Sequence, residues 1–574
     1  MRRIFVLALA ALALLGVVTP DASAQAPTPT FKINGLIDQM VTYSRNASNY
    51  DGDLARNDKQ VYGRTRGRLD FIGEVGKAKG VVGIEMDLTY GQVGSNDANI
   101  VASGGAATTA VQVCSGCTAG FDMNTDVRTA IELKWLYTEF ELPLIPVPTV
   151  VRIGAQPFGG AASYKLAAYA TGDYAGLNLV TTITPNVKIN LTYAQLEEAL
   201  VGREGGSGAN KQPTTGGFGI AGSQFRGDDF AIIMSPEITP IKGLDLKPMY
   251  SYFYGSGTVN AASRQGRGGV NTSSAYTNAD GSWKGGINED RHTVGLDARL
   301  RLGPFSLDPT IMYQFGHRDV VVPGVAGGVC TATNSQNCLA LASGKAPGTI
   351  ARADISAWLF DIRAGFQIGP LLIEGLYMFT TGNKARDTTL NNVYYFQPLG
   401  TDTGYLADWG TQLSSLGLDY FSALNEGAVA GAYPGVSIGW DKYGRHQAGI
   451  KASYFLTPNL SATAGVSVHL THRAIDTDAA TQNCQNPTVC AVVGVAGGGL
   501  LPAYAIGKQD GDTNYLGTEL HGVVSWRFAP GLSWDNGMGY MVKGKGLNAY
   551  TGATGLGKEG KDAFIGTSRV RFTF

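Results

Sequence analysis

Three arginines stand two residues apart at Arg64, Arg66 and Arg68, and a second pair with the same spacing, Arg569 and Arg571, stands near the C-terminus. A guanidinium is permanently charged and presents a planar fork of donors that fits carboxylates and phosphates. At alternate positions of a β-strand such side chains share one face about 7 Å apart, and they repel unless water, counter-ions or carboxylates offset them. Two kinds of chemistry follow. The strip is either an ion-pair network, with Glu85, Asp87 and Glu132 as carboxylate candidates, or a field of positive charge that discriminates among ions. Arg299 and Arg301, beside Asp297, repeat the two-residue spacing elsewhere in the chain.

Positioning such residues needs strands, and the pattern around them has period two. From Tyr62 to Glu74 the even positions are mostly charged and the odd positions small or apolar. The same alternation recurs along the chain. Phe31, Ile33, Ile37, Val41 and Tyr43 oppose Lys32, Asn34, Asp38 and Thr42; Val82, Ile84, Met86, Leu88 and Tyr90 oppose Glu85, Asp87 and Thr89. Val294, Leu296, Ala298 and Leu300 oppose Asp297, Arg299 and Arg301, and Trp358, Phe360, Ile362 and Phe366 oppose Asp361 and Arg363. Near the end, Leu520, Val524, Trp526 and Phe528 oppose Glu519, His521, Ser525 and Arg527.

Two kinds of connection take turns between these segments. Eight are short and often contain proline: Lys77 to Gly80, Pro143 to Pro148, Thr184 to Asn186, Pro236 to Gly243, Gly303-Pro304, Gly369-Pro370, Thr457 to Asn459 and Pro530-Gly531. The others are long, polar and glycine-rich, at roughly 46–60, 94–126, 159–173, 198–227, 256–288, 319–351, 384–440, 474–513 and 544–560. Eight short and nine long connections join 18 strands, with 16 as the alternative count, and leave both termini on the short-turn side. An even strand number with short turns at one rim and long loops at the other is the layout of an all-β transmembrane antiparallel barrel. Aromatics recur near strand ends, at Trp135, Tyr137, Phe140, Trp358, Phe360, Tyr377, Phe379, Trp526, Phe528 and Trp534, where interfacial girdles would sit. A soluble sandwich is disfavoured, because its polar faces need not repeat Arg, Asp and Glu and it rarely holds so many strands.

The whole-chain figures agree. The 574 residues include 79 Gly and 26 Tyr, favouring turns and strands over helices, and the formal net charge of -1 gives no bulk attraction to nucleic acid. Residues 1–24, with Arg2-Arg3, the apolar run Ile4 to Val18 and Ala22-Ser23-Ala24, read as a signal peptide, which leaves 25–30 as a short periplasmic stub and 31–574 as the barrel with its external loops. The six cysteines fall as Cys114 with Cys117, Cys330 with Cys338, and Cys484 with Cys490, all in long loops; in an exported protein they read as candidate local disulfides.

The last strand ends Arg569-Val570-Arg571-Phe572-Thr573-Phe574, with Val570, Phe572 and Phe574 on one face. This ending resembles the Gram-negative outer-membrane porins, whose final strand closes on a terminal Phe with apolar or aromatic residues at alternate positions before it. The resemblance implies a passive channel for small hydrophilic solutes or ions in the outer membrane, surrounded by its lipids. It gives Val570, Phe572 and Phe574 the role of a signal to the barrel-assembly machinery, and it implies a homotrimer. It also implies an early external loop folded into the lumen as a constriction, for which the third loop, Gly159 to Asp173, is the candidate, with Asp173 as its acidic residue. Together with Arg64, Arg66, Arg68, Glu85, Asp87, Glu132, Arg299, Arg301, Arg569 and Arg571 as lumen-lining charges, these form the candidate site. The long seventh loop carries Tyr394, Tyr395, Phe396, Tyr405, Trp409, Tyr420, Phe421 and Tyr433, as a solute-facing lining or as loop packing.

No catalytic constellation stands out. His469 and His472 are three apart and face opposite sides of a strand, and the glycine runs lack a strand-to-helix context, so no metal, cofactor or enzyme activity is expected. The alternative readings are a barrel sheath around a cytochrome electron conduit and an outer-membrane hydrolase.

Overall fold

The structure, a computed structural model, describes residues 27–46, 59–90, 131–143, 145–159, 164–197, 229–257, 287–322, 344–346, 348–384, 391–399, 443–475, 511–550 and 561–574, with short pieces at 119–121, 276–277, 283–284, 387, 405–406, 409 and 438. Residues 1–24, read from the sequence as a signal peptide, and all six cysteines lie outside the described residues, as do Tyr420, Phe421 and Tyr433.

Eighteen strands form the wall. They are β1 (Thr30–Arg45), β2 (Lys59–Val75), β3 (Ala78–Tyr90), β4 (Ile131–Glu141), β5 (Thr149–Pro157), β6 (Asp173–Thr184), β7 (Val187–Glu197), β8 (Asp229–Ile241) and β9 (Leu244–Gly257). The second half comprises β10 (Ile287–Leu302), β11 (Phe305–Val321), β12 (Ile350–Ile368), β13 (Leu371–Thr380), β14 (Arg445–Thr457), β15 (Leu460–Ile475), β16 (Thr513–Ala529), β17 (Leu532–Lys543) and β18 (Ala563–Thr573). Each pairs antiparallel with its sequence neighbours, and β1 pairs with β18 as well as β2, so the sheet closes and has no free edge. The alternation of eight short and nine long connections expected from the sequence is the one observed. Several turns are two residues long; those at Gly303 and Gly369 carry φ of +58° and +53°, the left-handed region that tight hairpins need.

Burial alternates with the strand period. On the outside, Ile37, Val41, Val82, Leu133, Leu191, Met234, Leu296, Ile311, Ile450, Leu520, Val524 and Met538 are exposed and form an apolar belt. Aromatics extend it: Phe31 stacks near Phe71 at 6.3 Å, and Trp526, Phe528 and Trp534 cluster at the short-turn end. The inner face is polar, and its buried members include Asp38, Thr42, Glu85, Asn190, Thr192, Ser251, Thr293, Gln314, Asp361, Gln447, Ser467 and Glu519. That polarity is inverted relative to a soluble protein and suits a lipid surround. A closed sheet of this many strands is too wide for wall side chains alone to fill. Its interior therefore has room for folded-in chain, and part of it is so filled.

Candidate functional site

The β16–β18 and β1–β6 arc carries the arginines. In register, Arg66 and Arg571 both lie opposite Asp38, while Arg64 and Arg569 both lie opposite Met40. The two arginine strips thus flank one strand and share its inner face. Their charges are not bare. Arg66 donates from Nε and Nη2 to the two carboxylate oxygens of Asp87, each at 2.6 Å, and Arg68 donates to Glu85 at 2.7 Å through Nε. Arg569 donates to both oxygens of Asp38 at 2.8 and 2.9 Å, and Arg571 reaches Asp535 at 3.4 Å. Lys134 lies 3.5 Å from Glu85 and 3.0 Å from Asp173, and Arg152 donates to Glu139 at 2.9 and 2.6 Å.

The strip is an alternating mosaic of both signs rather than a basic wall facing an acidic one. Bidentate pairing of this kind fixes the guanidinium planes. The wall charges are also partly exposed: Arg68 and Arg152 keep 25% of their side-chain surface, Lys134 21% and Arg571 37%. Arg64 is buried deeper and stands opposite Thr89. Glu132 is exposed and stands opposite Glu85. Asp173 opens β6, where it accepts from the Trp135 indole at 2.8 Å, so its charge belongs to the arginine-bearing arc. Arg299 and Arg301 lie across the barrel near the short-turn end of β10; Arg301 forks onto Asp308, and Arg299 is 3.9 Å from Asp297.

Across the barrel, Arg299, Arg363 and Glu374 toward the short turns keep 21–30% side-chain exposure, while the loop-side part of the inner face is buried. Between β8 and β15 it bears Ala231, Ile233, Met249, Phe253, Met312, Ala357, Leu359, Leu376 and Met378, all buried, together with Arg291 and Arg318 at 0% and 1% side-chain exposure. Two long loops cover it. The third contributes a 3-10 turn, Tyr164–Ala168, and the seventh contributes Phe396, Leu399, Leu406, Trp409 and Ile438 to the same cluster. The loops touch each other: the Leu399 amide donates to the Tyr169 carbonyl at 2.7 Å, and the Tyr169 and Phe396 rings meet edge to face. Wall groups bind the loops in turn. The Tyr169 hydroxyl donates to Ser251 at 2.8 Å, Gln314 exchanges hydrogen bonds with the Gln397 backbone at 2.7 and 2.8 Å, and Ser467 donates to the Trp409 carbonyl at 2.9 Å.

The third loop therefore does fold inward, but a loop of over fifty residues joins it. Tyr395, Phe396 and Trp409 are buried at 1–2% exposure, which makes the described aromatics of that loop packing residues, with Tyr394 the exposed member. Lys165 and Asp361, which organise the docking, had no motif to mark them. A signal was present nonetheless: the middle of β12 is apolar on both faces, with Ile355, Ala357 and Leu359 inward and Trp358, Phe360 and Ile362 outward. A strand greasy on both faces needs cover on both. Among the described residues, no group of three or more His, Cys, Asp or Glu could hold a metal ion.

The sequence matches no protein-family model and no curated protein. Similarity to solved structures is distant. Pseudomonas aeruginosa OccK11 (OpdR) superposes with a TM-score of 0.42 at 8% identity, covering 94% of this chain and 96% of that one. Pseudomonas aeruginosa OccD3 (OpdP) gives 0.43 at 9%, covering 98% and 96%, and Acinetobacter baumannii OccAB1 gives 0.43 at 11%, covering 94% and 96%. The barrel count, its closure and the two-sided interior rest on this chain's own registers and burial.

Proposed function

We propose that the chain is a porin of the Gram-negative outer membrane, a passive diffusion channel for small hydrophilic solutes or ions. The observation that carries the reading is the division of the interior. A closed barrel coated outside with apolar side chains has one inner arc buried on its loop side under two loops and the opposite arc lined by partly exposed ion pairs. Arg66, Arg68, Lys134, Arg152, Arg569 and Arg571, with Asp87, Glu85, Asp173, Glu139, Asp38 and Asp535, would border the water path, with Arg64 and Glu132 at its margins and Arg299 and Arg301 at its far side. Fixed charges of both signs along such a path act on permeant ions through their local field.

On this reading residues 1–24 are removed on export, the terminal residues Val570, Phe572 and Phe574 are read by the barrel-assembly machinery, the cysteine pairs close external loops, and the barrel assembles as a homotrimer. The chain works without catalysis or a cofactor.

The test is single-channel recording in planar bilayers. Discrete conductance steps are expected from the purified protein, and an electrically silent barrel overturns the reading. Because Glu85 and Asp87 lose their arginine partners when Arg66 and Arg68 are neutralised, R66Q/R68Q shifts the reversal potential toward cations. E85Q/D87N shifts it toward anions. Identical reversal potentials in both variants remove the charge mosaic from the selectivity mechanism.

A further inference from the structure

The two inward loops are fastened through one wall carboxylate. Asp361 lies on the inner face of β12, fully buried. One of its oxygens stands 3.6 Å from the ammonium of Lys165, the head of the third loop's 3-10 turn. The other accepts the phenol of Tyr405, from the seventh loop, at 2.8 Å. Arg363, two residues along the same strand face, donates to both oxygens at 3.2 and 3.0 Å and lies 5.0 Å over the Tyr405 ring. The Lys165 ammonium is completed by the backbone carbonyls of Asp308 and Asp361, the latter at 2.9 Å, and by Asp297 at 3.8 Å.

We infer that Asp361 is a common latch which seats the third and seventh loops together against the wall and so sets the width of the water path. An ammonium and a phenol from two separate loops converge on one buried anion, and burial makes each bond expensive to leave unmade. With Asp361 replaced by alanine, Lys165 keeps its two backbone carbonyls but loses the nearer of the two carboxylates within 4 Å, leaving Asp297 at 3.8 Å, and Tyr405 loses its acceptor. Both loops are then released at once, because the bond from the Leu399 amide to Tyr169 couples them. The loop arrangement stands by itself; the consequence for conduction rests on the channel reading above.

The experiment compares wild type with D361A, K165M and Y405F, all first verified as folded barrels by the mobility difference between heated and unheated samples on gels. Amide hydrogen exchange is followed in peptides 164–170 and 391–399, and single-channel conductance is recorded in parallel. D361A is expected to speed exchange about tenfold or more in both peptides, the loss a charge-assisted buried hydrogen bond would give, and to raise the open-channel conductance. K165M should act first on 164–170 and Y405F first on 391–399. E74Q, which breaks the exposed pair of Glu74 with Lys32 on the first two strands, should match wild type in both readouts. Unchanged exchange in D361A, or exchange raised in only one loop, overturns the latch. Exchange raised in both loops at unchanged conductance overturns its control of the water path. A barrel that never conducts retires the channel reading, while the exchange data still decide whether Asp361 joins the loops.

Discussion

Asp38 shows how much a single residue at the barrel seam carries. It is 1% exposed, lies opposite Arg571 in register and takes a bidentate hydrogen bond from Arg569. The pair joins the last strand to the first through side chains as well as through the backbone. Removing one partner leaves the other charge without its counterpart in a site that only partly reaches water, at a cost of about 1–3 kcal/mol. D38A should therefore lower the temperature at which the heat-dependent gel shift occurs, and the exchange of charges in D38R/R569D should recover most of the loss. If the double variant is no more stable than D38A, the pair does not help to hold the seam. The arginines themselves were visible as a two-residue repeat. Their partners were visible only as types, since any carboxylate on a neighbouring strand would have served until the register put Asp87 opposite Arg66 and Glu85 opposite Arg68.

At the scale of elements, the final strand is placed by a close approach. Phe574 exchanges backbone hydrogen bonds with Gly35, whose amide donates at 2.8 Å and whose carbonyl accepts at 3.0 Å, and the Phe574 ring lies over the bare Gly35 backbone. A Cβ on residue 35 would fall 2.1 Å from that ring. Gly35→Val should displace the terminal ring and reduce the yield of assembled barrel, whereas Gly73→Val, at an open site on the neighbouring β2, should not. Equal yields of the two variants would show that the seat of Phe574 is dispensable. Strand existence and order were legible because most strands repeat apolar and polar positions with period two and the short turns between them carry Gly, Pro or Asn. The inward path of the seventh loop was not, because a buried loop and an exposed one can have the same composition. Only the doubly apolar β12 hinted at it.

For the whole molecule, the inversion of polarity gives the sharpest contrast. Leu520 sits mid-strand on the outer face at 52% exposure, and Ser525 on the same strand faces inward opposite Asp535. An arginine at the lipid-facing site should cost about 2–4 kcal/mol near the bilayer midplane. An arginine at the lumenal site meets water and a carboxylate. Leu520→Arg is therefore expected to lose stability in denaturant titrations in lipid vesicles, and Ser525→Arg to remain near wild type. Comparable losses in both would contradict the assignment of faces.

The sequence by itself determined the antiparallel barrel, a strand count of 18 with 16 as the alternative, and the outward face of the strands whose alternation is clear, such as β1, β2, β3 and β10. Hydropathy with period two and the chemistry of turns are local properties, and each strand states them independently. The tertiary structure alone decided the interior: which carboxylate neutralises which arginine, that two loops share one wall, and that Asp361 receives both. Those contacts join residues far apart in the chain, such as Lys165 with Asp361 and Asp38 with Arg569, and nothing local to either partner encodes the distance between them.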